Sequence, residues 1–275
     1  MKKELEDDTD SLGFKRLRKE VSKLIGVDYQ NYSKSHLRRR FHARMRVVDK
    51  PTFSEYNNYI KNSDEEVEKL RKLLTVNVTR FKRDKKVWKV LEKEVMPKLI
   101  EQKDGGIIKK IKFWSAGCAT GEEPYSLAMT YLKNKPSSDL KCSITATDLD
   151  QEALSFARNG EYPEKSLKNV TMSEKREYFE EVEDGYKVKR PLKELVNFKR
   201  KDIFKTKFSQ RFDLILCRNL MIYFNNEAKT QLMERLVESL NKDGFLVIGM
   251  SENLREPAKS EVETYNLRRR IFVKH

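Results

Sequence analysis

Cysteine is scarce in this 275-residue chain: Cys118, Cys142 and Cys217 are scattered, odd in number and set in apolar contexts. That excludes a disulfide framework and the close pairs of a zinc site, so no metal is expected and the three read as reduced packing residues. Histidine is equally thin. His36, His42 and His275 lie far from Cys118 in sequence, which leaves no Cys–His nucleophile pair. No apolar run approaches the roughly 20 residues of a spanning helix, and Met1 to Asp10 alternates lysine with acids. Neither a signal segment nor membrane insertion is therefore expected, and the chain reads as cytoplasmic. Internal repeats and low-complexity tracts are missing too.

What is present is charge, unevenly placed. The net charge is +15, and residues 1–100 hold 26 Lys and Arg against 16 Asp and Glu. A basic front half points to an acidic partner, whether nucleic acid, an anionic surface or an acidic protein. The hydrophobic content of 38% and the length suit two modest globular domains.

The most informative stretch runs from Phe113 to Ser126, where a buried strand enters the turn Gly117-Cys118-Ala119-Thr120-Gly121 and then a helix with Pro124 in its first turn. Small residues there let backbone approach a nucleotide-like ligand, as in the doubly wound α/β fold. Glu122-Glu123 would repel a pyrophosphate or triphosphate, and no Lys-Ser or Lys-Thr follows Gly121, so a Walker loop is absent. A cationic cofactor such as S-adenosylmethionine tolerates the acid pair. The bland alternative is a structural turn with solvated acids.

Helical periodicity predicts a helix over Ser11–Ile25 stopped by Gly26, and a basic amphipathic helix over Ser33–Val48. Leu37, Phe41, Met45 and Val48 form the apolar stripe of the second, flanked by Lys34, Arg38, Arg39, Arg40, Arg44 and Arg46. Thr52 with Glu55 and Ser63 with Glu66 mark two further helix starts, and Asp84 is the expected cap of a helix with the face Val87, Trp88, Leu91, Val95. Residues 1–96 thus form a helical domain. Residues 97–275 alternate strands (111–115, 143–147, 196–200, 212–217, 244–249) with helices, predicting a mostly parallel sheet covered on both faces, closed by a terminal antiparallel hairpin. A small β excursion carried on that sheet is expected at about 161–195, with Asp184-Gly185 as its hairpin turn.

Asp148 ends the second strand where a doubly wound fold holds a ribose, and Asp150 reads as the cap of the next helix. Asp202-Ile203 after the third strand reads equally as an adenine contact or an ordinary loop. Asn219 follows the fourth strand, placed to bond the cofactor while Leu220 and Met221 cover it. For Tyr223 core packing is the slightly favoured reading.

Five blocks, in order, resemble the CheR family of chemotaxis receptor glutamate methyltransferases. They are Leu74–Asp84 (LTVNVTRFKRD), the Trp114–Ser126 turn, Ala146–Asp150, Cys217–Phe224 (CRNLMIYF) and Gly249–Leu254. The resemblance covers about residue 12 to the end. It implies a class I S-adenosylmethionine-dependent methyltransferase domain behind an all-α domain, with the cofactor between them. It also implies cofactor contacts from Asn77, Thr79 and Arg83 of a linker at 75–84, from Gly117 and Glu122 of the turn, and from Asp148, Asn219 and Leu220. Two departures stand out: Asp202-Ile203 replaces an Asn-Leu-like pair, and Phe81-Lys82 keeps one of two aromatics before the arginine. The implied substrate is the acidic, helical methylation region of a receptor's cytoplasmic domain, met by Arg38, Arg39, Arg44 and Arg46, with Tyr223 orienting the acceptor. The chain is expected to act as a monomer.

A nucleic-acid methyltransferase is the rival, but the Asp/Asn-Pro-Pro-aromatic motif of base-amino methylation is missing after the fourth strand, and residues 34–46 hold no stacking series of aromatics. A receptor-binding scaffold without activity is a third reading, disfavoured by the near-complete set of pocket residues.

Overall fold

The computed structural model describes residues 2–75, 77–105, 109–135, 139–206 and 210–275, without side chains for 2–10. Two compact units emerge, one of Met1–Val76 with Tyr223–Lys229, the other of Asn77–Ile222 with Thr230–His275.

In the first unit α1 (Lys2–Ile25) is longer than its apolar stripe predicts and stops at Gly26, which adopts φ +74°. Then come α2 (Lys34–Val47), α3 (Phe53–Ile60) and α4 (Asp64–Leu74). The Thr52 hydroxyl accepts the Glu55 N–H at 3.2 Å and the Ser63 hydroxyl that of Glu66 at 3.3 Å, each satisfying a donor the helix start leaves open. Phe14, Leu17 and Val21 pack with Leu37, Phe41 and Met45, and with Phe53, Tyr56, Ile60 and Leu70, as the core. Glu66 does not complete a capping box. Its carboxylate turns inward, where Arg44 donates to both oxygens at 2.9 and 2.6 Å and the Tyr56 hydroxyl donates at 2.7 Å.

The second unit opens with α5 (Lys85–Val90), which passes through the wider-wound stretch Leu91–Val95 into α6 (Met96–Asp104). The sequence places the domain border at residue 96, but the structure puts it at 76. The reason is burial: Val87, Trp88, Leu91 and Val95 share one core with Ile111 and Phe113. Next come β1 (Lys110–Ala116), α7 (Glu122–Asn134), β2 (Lys141–Asp148), α8 (Gln151–Asn159) and β3 (Glu161–Tyr162). They are followed by α9 (Met172–Tyr178), β4 (Phe179–Val182), β5 (Gly185–Val188), α10 (Arg190–Lys193), β6 (Val196–Arg200) and β7 (Phe212–Cys217). The chain ends with α11 (Asn226–Glu238), β8 (Leu240–Ile248), β9 (Val262–Asn266) and β10 (Ile271–Lys274).

Seven strands form the main sheet in the order β6-β2-β1-β7-β8-β10-β9. The first five are mutually parallel, and β10 runs antiparallel to both β8 and β9. Strand order reverses between β1 and β7, the switch point at which doubly wound sheets place ligands. Every residue of β7 is buried, Asp213 among them, in keeping with a central parallel strand. The expected excursion is present, with β4 and β5 as its hairpin around Asp184-Gly185, but β3, β5 and β4 pair antiparallel in a three-stranded sheet of their own and not on the main sheet. No helix among the described residues is long and apolar enough to cross a membrane.

Candidate functional site

The turn after β1 is tied to the end of β2. The N–H groups of Gly117 and Cys118 both donate to the Thr147 carbonyl, at 2.8 and 3.0 Å, and Ala119 N–H donates to Asp148 Oδ2 at 2.8 Å. Gly117 sits at φ +75°, and a β-carbon there would lie 2.9 Å from Leu220 Cδ2. The loop after β7 therefore closes on the turn at Gly117, where a side chain is missing. Asp148 Oδ1 accepts the Asp150 N–H at 2.9 Å. Each of its oxygens thus holds one backbone donor and keeps further acceptor capacity. Cys118 is a buried packing residue whose thiol is pushed up by burial, in line with its sequence reading.

The acids at the head of α7 are enclosed. Glu122 is 3% exposed and takes the Thr120 hydroxyl at 2.7 Å; burial raises its carboxyl against that bond. Burial likewise raises Glu123, opposed by the Arg218 charge, while Ser115 donates to Oε1 at 2.8 Å. Burial also raises Asp148, opposed by its backbone bonds. Three carboxyl groups without a lysine in the turn suit a cationic ligand and repel a polyphosphate.

The linker is held at both ends. Asn77 Nδ2 donates to Asp150 Oδ2 at 2.8 Å, while Asp150 Oδ1 caps α8 through the N–H groups of Glu152 and Ala153, as the sequence predicts. Arg83 Nη1 donates to the Val78 carbonyl at 2.9 Å. Lys82, where the family has a second aromatic, turns inward at φ +49° and pairs its ammonium with buried Glu174, 3.8 Å from Glu92. Asp84 does not cap α5: at φ +61° its carboxylate leaves the helix amides and accepts Arg218 Nη2 at 2.6 Å.

Past β7, Asn219 adopts φ +60°, a region asparagine tolerates. Glu252, 5% exposed, fixes this loop by accepting the N–H groups of Asn219, Met221 and Gly249 at 3.3, 2.9 and 2.6 Å. The Asn219 amide and the Thr79 hydroxyl have no intramolecular partner among the described residues, so both are available to a ligand. Asp202 Oδ1 accepts the Phe204 N–H at 2.9 Å within its own turn and, like Asp148, keeps further acceptor capacity, while Ile203 beside it is buried.

Among the predicted acceptor-side residues in the helical unit, Arg44 is corrected, since its guanidinium is consumed by Glu66, 2% exposed. Arg38, half-buried, lies over the Phe14 ring at 4.6 Å. Arg39 and Arg46 are exposed. Arg40, flanking but not predicted, has a buried Nε without a partner. Tyr223 sets its ring 5.1 Å from that of His36, whose imidazole is pushed down to about 4 by burial and by Arg40 and Arg39. Sequence reasoning also missed Arg218 and Glu252. Arg218 had a visible signal, a charge directly after an apolar strand, whereas Glu252 lies beyond Gly249, Met250 and Ser251 from the end of β8 and had no such mark.

A doubly wound sheet with order reversal beside a glycine turn, an acid at the end of the second strand and enclosed carboxyl groups in place of phosphate-binding lysines together define an S-adenosylmethionine-dependent methyltransferase of class I. Residues 77–271 match the family described as "CheR methyltransferase, SAM binding domain" and residues 12–75 match "CheR methyltransferase, all-alpha domain". The chain belongs to the CheR methyltransferase family. It is 34% identical to a chemotaxis protein methyltransferase of Listeria innocua over 246 residues, 90% of this chain and 92% of that one. It is also 34% identical to one of Borreliella burgdorferi, covering 86% and 88%, and 29% identical to chemotaxis protein methyltransferase 2 of Pseudomonas aeruginosa, covering 87% and 86%.

Proposed function

We propose that this chain methylates glutamate side-chain carboxylates in the cytoplasmic domain of chemotaxis receptors, working as a monomer in the cytoplasm. When bound, S-adenosylmethionine supplies a methyl group on a sulfonium. Thr79, Arg83, Asp148, Asn219 and Leu220 hold it, with Asn77 and Glu122 shaping their surroundings. The observation that carries this reading is the pair of unspent polar groups, Asn219 and Thr79, in a setting of buried acids and a glycine turn. Arg83, whose head is bonded among the described residues only to the Val78 carbonyl, is the natural partner of a carboxylate.

A glutamate with a reference pKa of about 4.3 is already ionised at neutral pH, so the chain needs no general base, in keeping with its lack of a paired histidine. Attack by an anion on a cation disperses charge in the transition state, and exclusion of water by Leu220 and its loop favours it. Tyr223 orients the acceptor. Tyr223→Phe is expected to lower turnover about tenfold with unchanged affinity for S-adenosylhomocysteine; equal turnover removes Tyr223 from the mechanism.

The exposed Arg39 and Arg46 of α2 meet the acidic receptor face, where steering acts mainly on association. Arg39→Glu with Arg46→Glu is expected to weaken methylation of a receptor fragment severalfold, more at low salt, with cofactor affinity retained. The deciding assay is tritiated methyl transfer to receptor fragments, RNA and DNA. A base-labile ester on the receptor alone supports the proposal, and label on nucleic acid overturns it.

A further inference from the structure

Arg218 has no role in the proposed reaction, yet its side chain is only 2% exposed. Its guanidinium reaches three groups on two segments. Nη2 donates to the Asp84 carboxylate at 2.6 Å and to the Arg83 carbonyl at 3.1 Å, and Nη1 donates to Glu123 at 3.3 Å. The Arg83 carbonyl also takes the Trp88 indole N–H at 2.8 Å, and Glu123 is in turn bonded to Ser115 of β1. We infer that Arg218 is a positioning residue that locks the linker at residues 83–84 onto the head of α7, setting Arg83 and the glycine turn at the spacing the cofactor requires. This rests on the cofactor reading proposed above.

Three features favour placement over mere stability. Buried ion pairs are poor stabilisers compared with apolar packing, and the Arg218 Nε has no partner among the described residues, so the arrangement is not one that stability alone selects. Asp84 stands where a helix cap belongs, in a strained left-handed conformation, yet its carboxylate is drawn off to Arg218. Finally, Asn219 and Leu220 follow Arg218 directly, so one residue joins the linker, the turn helix and the loop that covers them. The planar fork matters. Lysine concentrates its donors on one atom and lacks the two-sided reach with which the guanidinium spans these groups.

The test is calorimetric titration of S-adenosylhomocysteine into wild type, Asp84→Asn, Arg218→Lys and the double variant, beside hydrogen exchange of the unliganded proteins. Asparagine tolerates the left-handed conformation, so Asp84→Asn removes little but the charge. It is expected to weaken binding about tenfold, to speed exchange of the amides at residues 77–84, and to leave the melting temperature unchanged. The double variant is expected to bind no worse than Arg218→Lys. Wild-type affinity in Asp84→Asn, or additive losses in the double variant, overturns the inference while the cofactor reading stands. Failure of wild type itself to bind overturns that reading instead. Should Arg218→Lys not fold, Asp84→Asn decides alone.

Discussion

Gly117→Val is expected to weaken S-adenosylhomocysteine binding at least 100-fold, about 2.7 kcal/mol, with a smaller loss of stability. The new β-carbon lies 2.9 Å from Leu220 Cδ2 and 3.3 Å from Cδ1, atoms at the far end of a flexible side chain. Relief therefore comes from displacing Leu220, not from unfolding the sheet, and the displaced residue is the one that closes over the turn. The left-handed backbone adds about 1–2 kcal/mol of strain in the folded state. Gly26→Ala separates the two effects. Gly26 has nearly the same φ, +74° against +75°, but nothing within 4 Å of an added β-carbon. It should lower stability by a similar strain and leave binding untouched. Titration calorimetry with thermal melts of both variants checks this, and equal affinities would mean that the space at Gly117 is not used.

Arg44→Met is expected to destabilise the chain by about 3–5 kcal/mol, the cost of orphaning a buried carboxylate. Burial alone would raise the Glu66 carboxyl, but the bonds from Arg44 and Tyr56 outweigh it and hold it below the usual range. The sign follows from that depression. The pair's stabilisation is complete above the unfolded carboxyl pKa of about 4.3 and is lost as pH falls through the lower folded value. In the variant the unpaired carboxyl titrates higher, so it protonates and recovers as pH drops. The gap between variant and wild type should be widest near neutrality and shrink toward pH 3. Urea unfolding at several pH values tests this. Converting both residues, Arg44→Met with Glu66→Met, should restore most of the loss, since no buried charge remains; a double variant as unstable as the single would refute the account.

Much of this was legible in the residues. The parallel strands and the terminal hairpin follow from apolar runs and their punctuation, and Thr52, Ser63 and Asp150 announce their helix starts in one-dimensional spacing. What escaped was partner choice across the chain. Asp84 has every local mark of a cap, but Arg218, 134 positions on, outbids the helix amides with a full charge. Arg44 sits on a basic helix like its neighbours, and only folding reveals that Glu66 faces it. The border misplaced at residue 96 has the same cause: Val87, Trp88, Leu91 and Val95 show an apolar face in the sequence, but not which core that face enters.

The sheet's far side carries a lesson about assembly. Strand β10 lies between β8 and β9, and β9 pairs with no other strand among the described residues. β9 therefore cannot join the sheet before β10, which docks first or brings β9 with it as a hairpin. Until then β8 presents Phe245, Leu246 and Val247 along a bare edge, an invitation to a second molecule. Lesions near Ile271–Lys274 should thus surface as aggregation during synthesis more than as altered affinity in whatever protein survives.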